Sequence, residues 1–330
     1  MMTTQNTAVA GDLVRASHER WRWLGGTRGV DLLARALTLV AALSVLAVTV
    51  WLVVELWQRS VLPRHAFGFR FLLDRVWDPV FGHFGALPFV YGTLVTSAVA
   101  MAISVPLGVG AAIFLAELAP RTLSDTLTFL VELLAAVPSV VFGVVGIFVV
   151  VPWVRTSLGP LLKDLFGFIP LFQGPNYGVG FLTAGLVLSI MVLPFIVSIS
   201  RDVLLSVPVE LREAALGLGS TKWESTWKVV VPTARTGILG SIFLSLARAL
   251  GETMAVTMVI GNDPKIVASL FSPGYSIAAV IANEFTEATG DLYRQSLVEL
   301  GLVLFGVTVV LHALARLLVY ATAQKAKGGA

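Results

Sequence analysis

The sequence predicts an all-α integral membrane protein with six membrane-spanning helices. Of its 330 residues, 56% are hydrophobic and only 13% are charged, whereas soluble domains carry about a quarter charged residues. The mean hydropathy is +0.86. Several apolar runs also exceed the roughly 20 residues that a helix needs to cross a bilayer. The core of a soluble protein rarely requires runs of that length.

The six predicted spans cover residues 33–57, 89–116, 127–152, 179–200, 235–260 and 296–320. The first run is too long for the core of a secretory signal and follows about 31 mostly polar residues, so we interpret it as a retained span. Interior prolines are compatible with membrane helices, because neighbouring helices can satisfy the freed backbone groups. Four glycines are expected to allow close helix contact: Gly108, Gly110, Gly143 and Gly146.

The basic residues predict the orientation. Of 23 Lys and Arg residues, fourteen fall on the same side as the N-terminus, in segments or span ends, eight on the other side, and Arg248 lies deep inside a span. Positive residues are enriched in cytoplasmic loops, so both termini are expected in the cytoplasm. The same bias explains the net charge of +3 without invoking nucleic acid. The chain has no cysteine, and its four histidines are scattered, so no metal site is expected.

Two loops need separate interpretation. The stretch "IVASLFSPGYSIAAVIA" at 266–282 is apolar for 17 residues but is interrupted by Pro273 and Gly274. It is too short and broken for a span, and we expect a re-entrant segment or one that packs on the protein. The loop from Arg201 to Arg235 is instead expected to form two short helices. Pro208 can begin the first, and Pro232 is expected to end the second.

The turn and the second helix of that loop have their own signals. Gly217 and Gly219 permit a sharp turn, and Trp223 and Trp227 lie four residues apart, on one side of the second helix. One interpretation is an amphipathic hairpin at the membrane surface. The other comes from the spacing of its residues.

Glu213, Ala214 and Ala215 are followed by Gly219 four residues after Ala215, and by Pro232 thirteen residues after Gly219. This pattern resembles the EAA loop of ATP-binding-cassette (ABC) importer permeases. The resemblance implies that residues 207–232, called the hairpin below, dock on a separate ATPase. The chain contains no Gly–Lys dipeptide and so no Walker A loop. ATP and Mg²⁺ are therefore expected on the partner, and no cofactor on this chain.

Four further stretches are similar to phosphate-importer permeases of the PstC type. They are "FGALPFVYGTLVTS" at 84–97, "AAVPSVVFGVVG" at 135–146, "ARALGETMAVTMVIGN" at 247–262 and "IANEFTEA" at 281–288. The resemblance covers about residues 65–320. It implies the type I importer (MetI-like) architecture in a bacterial or archaeal cytoplasmic membrane. It also implies three partners: a second permease of the PstA type, two ATPase copies of the PstB type and an external phosphate-binding protein of the PstS type. Sulfate or molybdate remains an alternative substrate.

The expected organisation has four parts: a polar cytoplasmic segment at 1–31, a first helix and outer loop at 32–88, the permease domain at 89–320 and a cytoplasmic tail at 321–330.

A secondary transporter would also explain charges inside spans, but it would not need the EAA loop. An intramembrane protease would need a nucleophile with a base, or paired aspartates. Neither is evident in the sequence.

Arg248 and Glu252 lie inside the fifth predicted span. Each charge costs about 2.5–3.5 kcal/mol at the centre of a membrane helix, so their presence needs a reason. Spaced i and i+4, they are expected on one helix face, where they either neutralise each other or line the path or gate of an anion. A guanidinium suits phosphate oxygens, and the resemblance favours this second role. Other acids, including Glu299 near a span end, are expected to reach the headgroup region.

Overall fold

The computed structural model describes residues 27–327, which fall into two units divided after Glu55. The first unit is helical throughout and belongs to α1 (Thr27–Arg59). Every side chain from residue 31 to residue 52 is exposed. An apolar helix with no cover inside its own unit is suited to lipid or to another chain. Most of the predicted segment 1–31 and the last three residues lie outside the described residues.

Six helices of the described chain are long and apolar enough to cross a membrane, as predicted. They are Asp31–Arg59 within α1, α4 (Leu87–Leu118), α6 (Ser139–Phe166), α7 (Phe181–Leu205), α9 (Lys222–Gly251) and Asp291–Leu317 within α12 (Asp291–Lys327). The shorter helices are α2 (Val61–Phe67), α3 (Arg70–Leu73), α5 (Arg121–Ala135), α8 (Val209–Gly217), α10 (Met254–Ile260) and α11 (Ile277–Glu284). A small antiparallel sheet pairs β1 (Trp77–Asp78) with β2 (His83–Phe84), with Trp77 opposite Phe84.

The third span was predicted too early in the chain. Residues 121–135 form a separate helix, α5, and the spanning helix α6 begins only at Ser139. Pro138 has φ −59° and ψ 139°, outside the helical region. A proline also disfavours helical geometry in the residue before it, so the chain breaks at this point. The hydrophobic run is continuous through the break, which is why hydropathy alone placed the span across it.

The fifth span was also misplaced, and Pro232 does not end a helix. Helix α9 runs without interruption from Lys222 through Pro232 to Gly251. Its turn at Thr226–Val230 is a π-helix, in which the Val231 N–H donates to the Thr226 carbonyl five residues back. A wide turn just before a proline relieves the clash that its ring makes with a regular helix. The second arm of the hairpin and the fifth span are therefore one helix.

Helix α7 forms the centre of the second unit and packs most extensively against α4 and then α9. Two-thirds of its apolar window is buried, the largest share among the six candidate spans. Leu188, Met191 and Ile196 are almost fully buried in one cluster with residues of α6 and α10. A helix that is buried on most of its surface holds the position of its neighbours.

Three of the four predicted glycine contacts are confirmed. A Cβ at Gly108 would lie 2.8 Å from Ile196, one at Gly143 would lie 3.2 Å from the Ala255 Cα, and one at Gly146 would lie 2.7 Å from Val259. The prediction for Gly110 is wrong, because a Cβ there meets nothing within 4 Å. The contacts at Gly143 and Gly146 place α6 directly against α10.

The broken apolar stretch at 266–282 packs on the protein, as predicted, and is not among the candidate spans. Its backbone accepts hydrogen bonds from the start of α7: Phe181 N–H donates to the Ser272 carbonyl at 3.2 Å and Leu182 N–H to the Leu270 carbonyl at 2.8 Å. On its other side it crosses α4 so closely that a Cβ at Gly92 would lie 2.1 Å from the Tyr275 carbonyl oxygen. Only glycine fits that crossing.

Candidate functional site

The first arm of the hairpin is α8, which follows Pro208 directly. Glu210 lies in its first turn, where the helix dipole favours a negative charge. Within the Glu-Ala-Ala group, Ala215 is buried, whereas Glu213 and Ala214 are exposed. The small buried alanine lets the arm pack, while the glutamate remains available to a partner.

A glycine-dependent cap closes the first arm. Ser220 N–H donates to the Ala215 carbonyl at 3.1 Å, and Gly219 N–H donates to the Leu216 carbonyl at 2.9 Å. These two bonds define a Schellman motif, which needs a left-handed residue at its turn. Gly219 supplies it with φ +89°. This explains physically why the motif places a glycine four residues after its second alanine.

The second arm begins with a capping box that the sequence analysis missed. The Thr221 side chain accepts from Glu224 N–H at 3.2 Å, and the Glu224 carboxylate accepts from Thr221 N–H at 3.0 Å. The pattern Thr-x-x-Glu is the signal that could have revealed it. The Trp223 and Trp227 rings lie 5.6 Å apart in an edge-to-face arrangement, which confirms that they share one side of the helix.

The hairpin exposes an apolar surface. Trp223 is 56% exposed and Trp227 is 46% exposed. Four aliphatic side chains of the first arm and the turn are exposed as well: Val209, Leu211, Leu216 and Leu218. Large apolar side chains grouped on one exposed segment mark an interaction surface.

An ion pair joins the hairpin to α4. Arg212 Nη2 lies 2.8 Å from Glu117 Oε1, and the two side chains are only 20% and 11% exposed. The same guanidinium donates to the Leu204 carbonyl at the end of α7 and to the Val207 carbonyl. Arg212 thus links three elements: α8, the end of α7 and the end of α4. Sequence reasoning missed this pair, because its members lie 95 residues apart.

The second candidate region is the end of α9. The helix ends at Gly251, and Glu252 has extended backbone geometry with φ −69° and ψ 129°. The prediction that Arg248 and Glu252 share one helix face is therefore wrong. The Gly-Glu-Thr sequence interrupts the helix before α10 begins at Met254. Within the described residues no ion pair within 4.0 Å joins the two side chains.

Arg248 packs against α7. Its Cζ lies 4.3 Å from the centroid of the Phe195 ring, in a cation–π contact. Its Nε is buried and has no hydrogen-bond partner among the described residues, and the same is true of the Ser245 hydroxyl one turn earlier. One turn further back, the Ser241 and Ser200 hydroxyls lie 2.7 Å apart. A stripe of polar groups on α9 therefore leads to Arg248.

Glu252 makes only a weak local contact. Its Oε1 accepts from Ala255 N–H at 3.4 Å, at the start of α10. The carboxylate is half-buried. Compared with Glu117, which accepts from Arg212 at 2.8 Å, it is poorly held.

Two further acidic residues lie apart from both candidate regions. Glu132 lies exposed on α5 and not inside a span. Glu299, expected to reach the headgroup region, is instead only 7% exposed; it lies on α12, against which α2 packs. The described residues contain no group of three or more His, Cys, Asp and Glu side chains that could hold a metal ion.

Comparison with known proteins identifies the class. A family model described as "Binding-protein-dependent transport system inner membrane component" matches residues 104–324. The chain therefore belongs to this family of membrane components of binding-protein-dependent transporters. The match includes both the hairpin and the end of α9.

Relatives within the family are more specific. The chain is 50% identical over 290 residues to the phosphate transport system permease protein PstC of Mesorhizobium japonicum, covering 87% of this chain and 89% of that protein. It is 50% identical over 263 residues to PstC of Pasteurella multocida, covering 78% and 82%. It is 36% identical over 252 residues to a probable PstC of Methanocaldococcus jannaschii, covering 74% and 80%. The resemblance predicted from the sequence is confirmed.

A solved structure confirms the architecture. A chain of the inward-facing MetNI methionine ABC transporter aligns with a TM-score of 0.52 at 16% identity, covering 74% of this chain and 99% of that one. At that identity the likeness concerns the fold alone. The predicted MetI-like arrangement of membrane helices is therefore correct.

Proposed function

We propose that the chain is the permease subunit of an ATP-driven importer of inorganic phosphate and forms half of its translocation pore. The observation that carries the proposal is the 50% identity with PstC permeases over 87% of the chain. In this proposal the hairpin couples the subunit to the ATPase, and the end of α9 forms part of the path of the anion.

The hairpin is the coupling element. Its apolar surface, with Trp223, Trp227 and Leu218 exposed, is suited to a cleft on a separate ATPase that carries ATP and Mg²⁺. Glu213, beside the cap at Gly219, offers an exposed carboxylate to the same partner. Closure of two ATPase copies would move the hairpin. The Arg212–Glu117 ion pair would pass that movement to α4 and so alternate access to the pore.

The end of α9 is the anion path or its gate. Arg248 has no carboxylate within 4.0 Å among the described residues, so its positive charge is available to an anion. A guanidinium offers several donors in a planar fork that suits phosphate oxygens. Glu252 follows in the non-helical link and would repel an anion, which favours release. Neutral variants Arg248→Gln and Glu252→Gln that both left uptake unchanged would contradict this role.

The proposed assembly contains a homologous second permease of the PstA type, two PstB-type ATPases and an external PstS-type phosphate-binding protein. It lies in the cytoplasmic membrane with both termini inside, as the basic residues indicate. High affinity for phosphate belongs to the external protein, because a transport path must bind weakly enough to release its ion.

The test is labelled-anion uptake into proteoliposomes that contain the assembled transporter, with the binding protein outside. Phosphate and sulfate are compared with and without internal ATP. We expect ATP-dependent phosphate uptake that sulfate does not match. ATP-dependent sulfate uptake would keep the importer class but overturn the substrate, and uptake independent of ATP would support a secondary transporter instead.

A further inference from the structure

A groove in the second unit lies outside both regions described above. It has a volume of about 660 Å³ and is lined by α12, by residues between Trp57 and Leu72, and by Leu94 of α4. Almost all of its lining is apolar, including Leu302, Val303 and Val310. Neither the hairpin nor Arg248 contributes to it.

One wall of the groove carries a buried carboxyl group without a partner. Glu299 is 93% buried, and its Oε2 has no hydrogen-bond partner among the described residues. A buried polar atom left unpaired is unfavourable, because it has lost its hydrogen bonds to water. A carboxyl group in an apolar groove therefore indicates a ligand with hydrogen-bond donors.

The groove is also lined by a cation, Arg64 of α2, the helix that packs against α12. Arg64 Nε donates to the Ser60 carbonyl at 2.9 Å and Nη2 donates to the Trp57 carbonyl. Its Cζ lies 3.8 Å from the centroid of the Trp57 ring. These contacts hold the guanidinium in place and use two of its five N–H donors. Within the described residues no ion pair within 4.0 Å joins Arg64 to Glu299, so an acceptor and a donor both remain available.

The length of the groove matches one leaflet of a bilayer. Its lining on α12 runs from Glu299 to Leu311, which at 1.5 Å per residue is about 18 Å. Half of a hydrocarbon core is about 15 Å. Gly306 lies on this line, and a Cβ there would meet nothing within 4 Å, so the glycine keeps the groove open below the charged pair.

We infer that the groove binds a phospholipid with a primary ammonium headgroup, of the phosphatidylethanolamine type. The ammonium donates to Glu299, the phosphate accepts from Arg64, and an acyl chain lies along α12 past Gly306. Phosphatidylcholine presents the same charges but no N–H donor, and phosphatidylglycerol has no cation for Glu299.

The test is native mass spectrometry of the delipidated transporter complex, titrated separately with phosphatidylethanolamine, phosphatidylcholine and phosphatidylglycerol. We expect the wild type to retain phosphatidylethanolamine best. Glu299→Gln should lower that preference about tenfold, as expected for one charge-assisted hydrogen bond, and Glu132→Gln, at an exposed position on α5, should not change it. Equal retention of the three lipids by the wild type would overturn the inference.

Two further variants separate lipid binding from misfolding and from another occupant. Gly306→Leu should weaken retention of all three lipids at an unchanged thermal unfolding midpoint, because it fills the groove without meeting a neighbour. Gly306→Cys introduces a single cysteine into a chain that has none. Its disulfide cross-linking to a cysteine on a membrane helix of the second permease would show that a helix covers the groove, and would overturn the inference.

Discussion

The hairpin and the end of α9 differ in how completely their polar groups are paired. In the hairpin, the Schellman motif at Gly219, the capping box at Thr221 and the Arg212–Glu117 ion pair satisfy the helix ends and the buried charges. At the end of α9, Arg248 Nε and the Ser245 hydroxyl are buried without partners among the described residues, and Glu252 makes one long hydrogen bond.

This difference suits two functions, the transmission of movement and the passage of an ion. A segment that transmits movement must keep its shape, and fully paired polar groups give it one defined structure. A segment that an ion passes must offer polar groups that are not already paired, because those groups bind the ion. The binding must also be weak enough for the ion to leave. The comparison predicts that variants in the hairpin disturb the interaction with the ATPase, whereas variants at the end of α9 reduce uptake and leave ATP hydrolysis intact.

The largest effect is expected at the turn. Gly219→Pro removes an N–H donor of the Schellman motif and cannot adopt φ +89°, so we expect loss of ATPase binding and of uptake. The measurement is pull-down of the ATPase subunit from detergent-solubilised membranes. Gly217→Ala is the matched control, since Gly217 is helical and a Cβ there meets nothing within 4 Å. If Gly219→Pro still bound the ATPase, docking would not depend on the geometry of this turn.

At the end of α9, Arg248→Gln should reduce phosphate uptake by about a hundredfold, by analogy with enzymes that lose one hydrogen-bond donor to a developing anion. The thermal unfolding midpoint should not fall, because the arginine leaves an unpaired buried Nε in the wild type. Uptake and unfolding are measured on the same preparation. A fall in both would indicate that Arg248 mainly holds α9 against Phe195.

The ion pair comes next. Arg212→Gln leaves Glu117 as a mostly buried charge without its partner, which costs about 3 kcal/mol of stability. We expect a lower thermal unfolding midpoint and fewer phosphate ions transported per ATP hydrolysed. Lys228→Gln breaks the exposed Glu224–Lys228 pair and should lower the unfolding midpoint far less, because water screens exposed pairs. Similar losses in the two variants would show that burial of the Arg212 pair has no special role.

The smallest effect is expected at Glu252. Glu252→Gln removes a negative charge that accepts only the 3.4 Å bond from Ala255 N–H, and the amide oxygen can keep that bond. We expect phosphate to dissociate more slowly from the path, with uptake lowered by only a fewfold. Single-turnover release of labelled phosphate measures it. Faster release in the variant would assign Glu252 a binding role instead of a repulsive one.

The sequence was sufficient where a local pattern has one structural solution. The EAA spacing and the glycines predicted the hairpin, because a left-handed cap needs glycine and its spacing is set by the helix. It was insufficient at Pro138 and Pro232. Pro138 lies in a break between two helices, directly before α6, whereas Pro232 lies inside a continuous helix behind a π-turn.

The contacts between distant residues were not predictable from one sequence. Arg212 and Glu117 meet because α4 and α7 end side by side. No local sequence pattern around either residue indicates this contact. Arg248 and Glu252 were misassigned for the opposite reason. Their spacing suits one helix face, but the chain stops being helical between them, at Gly251, and local spacing carries no information about that break.

The most direct test measures phosphate uptake and ATP hydrolysis in the same proteoliposomes, for Arg248→Gln and Gly219→Pro beside the wild type. We expect Arg248→Gln to keep ATP hydrolysis stimulated by the binding protein while uptake is lost. Gly219→Pro should lose both. If Arg248→Gln transported phosphate at the wild-type rate, or if Gly219→Pro kept both activities, the assignment of transport to the end of α9 and of coupling to the hairpin would be wrong.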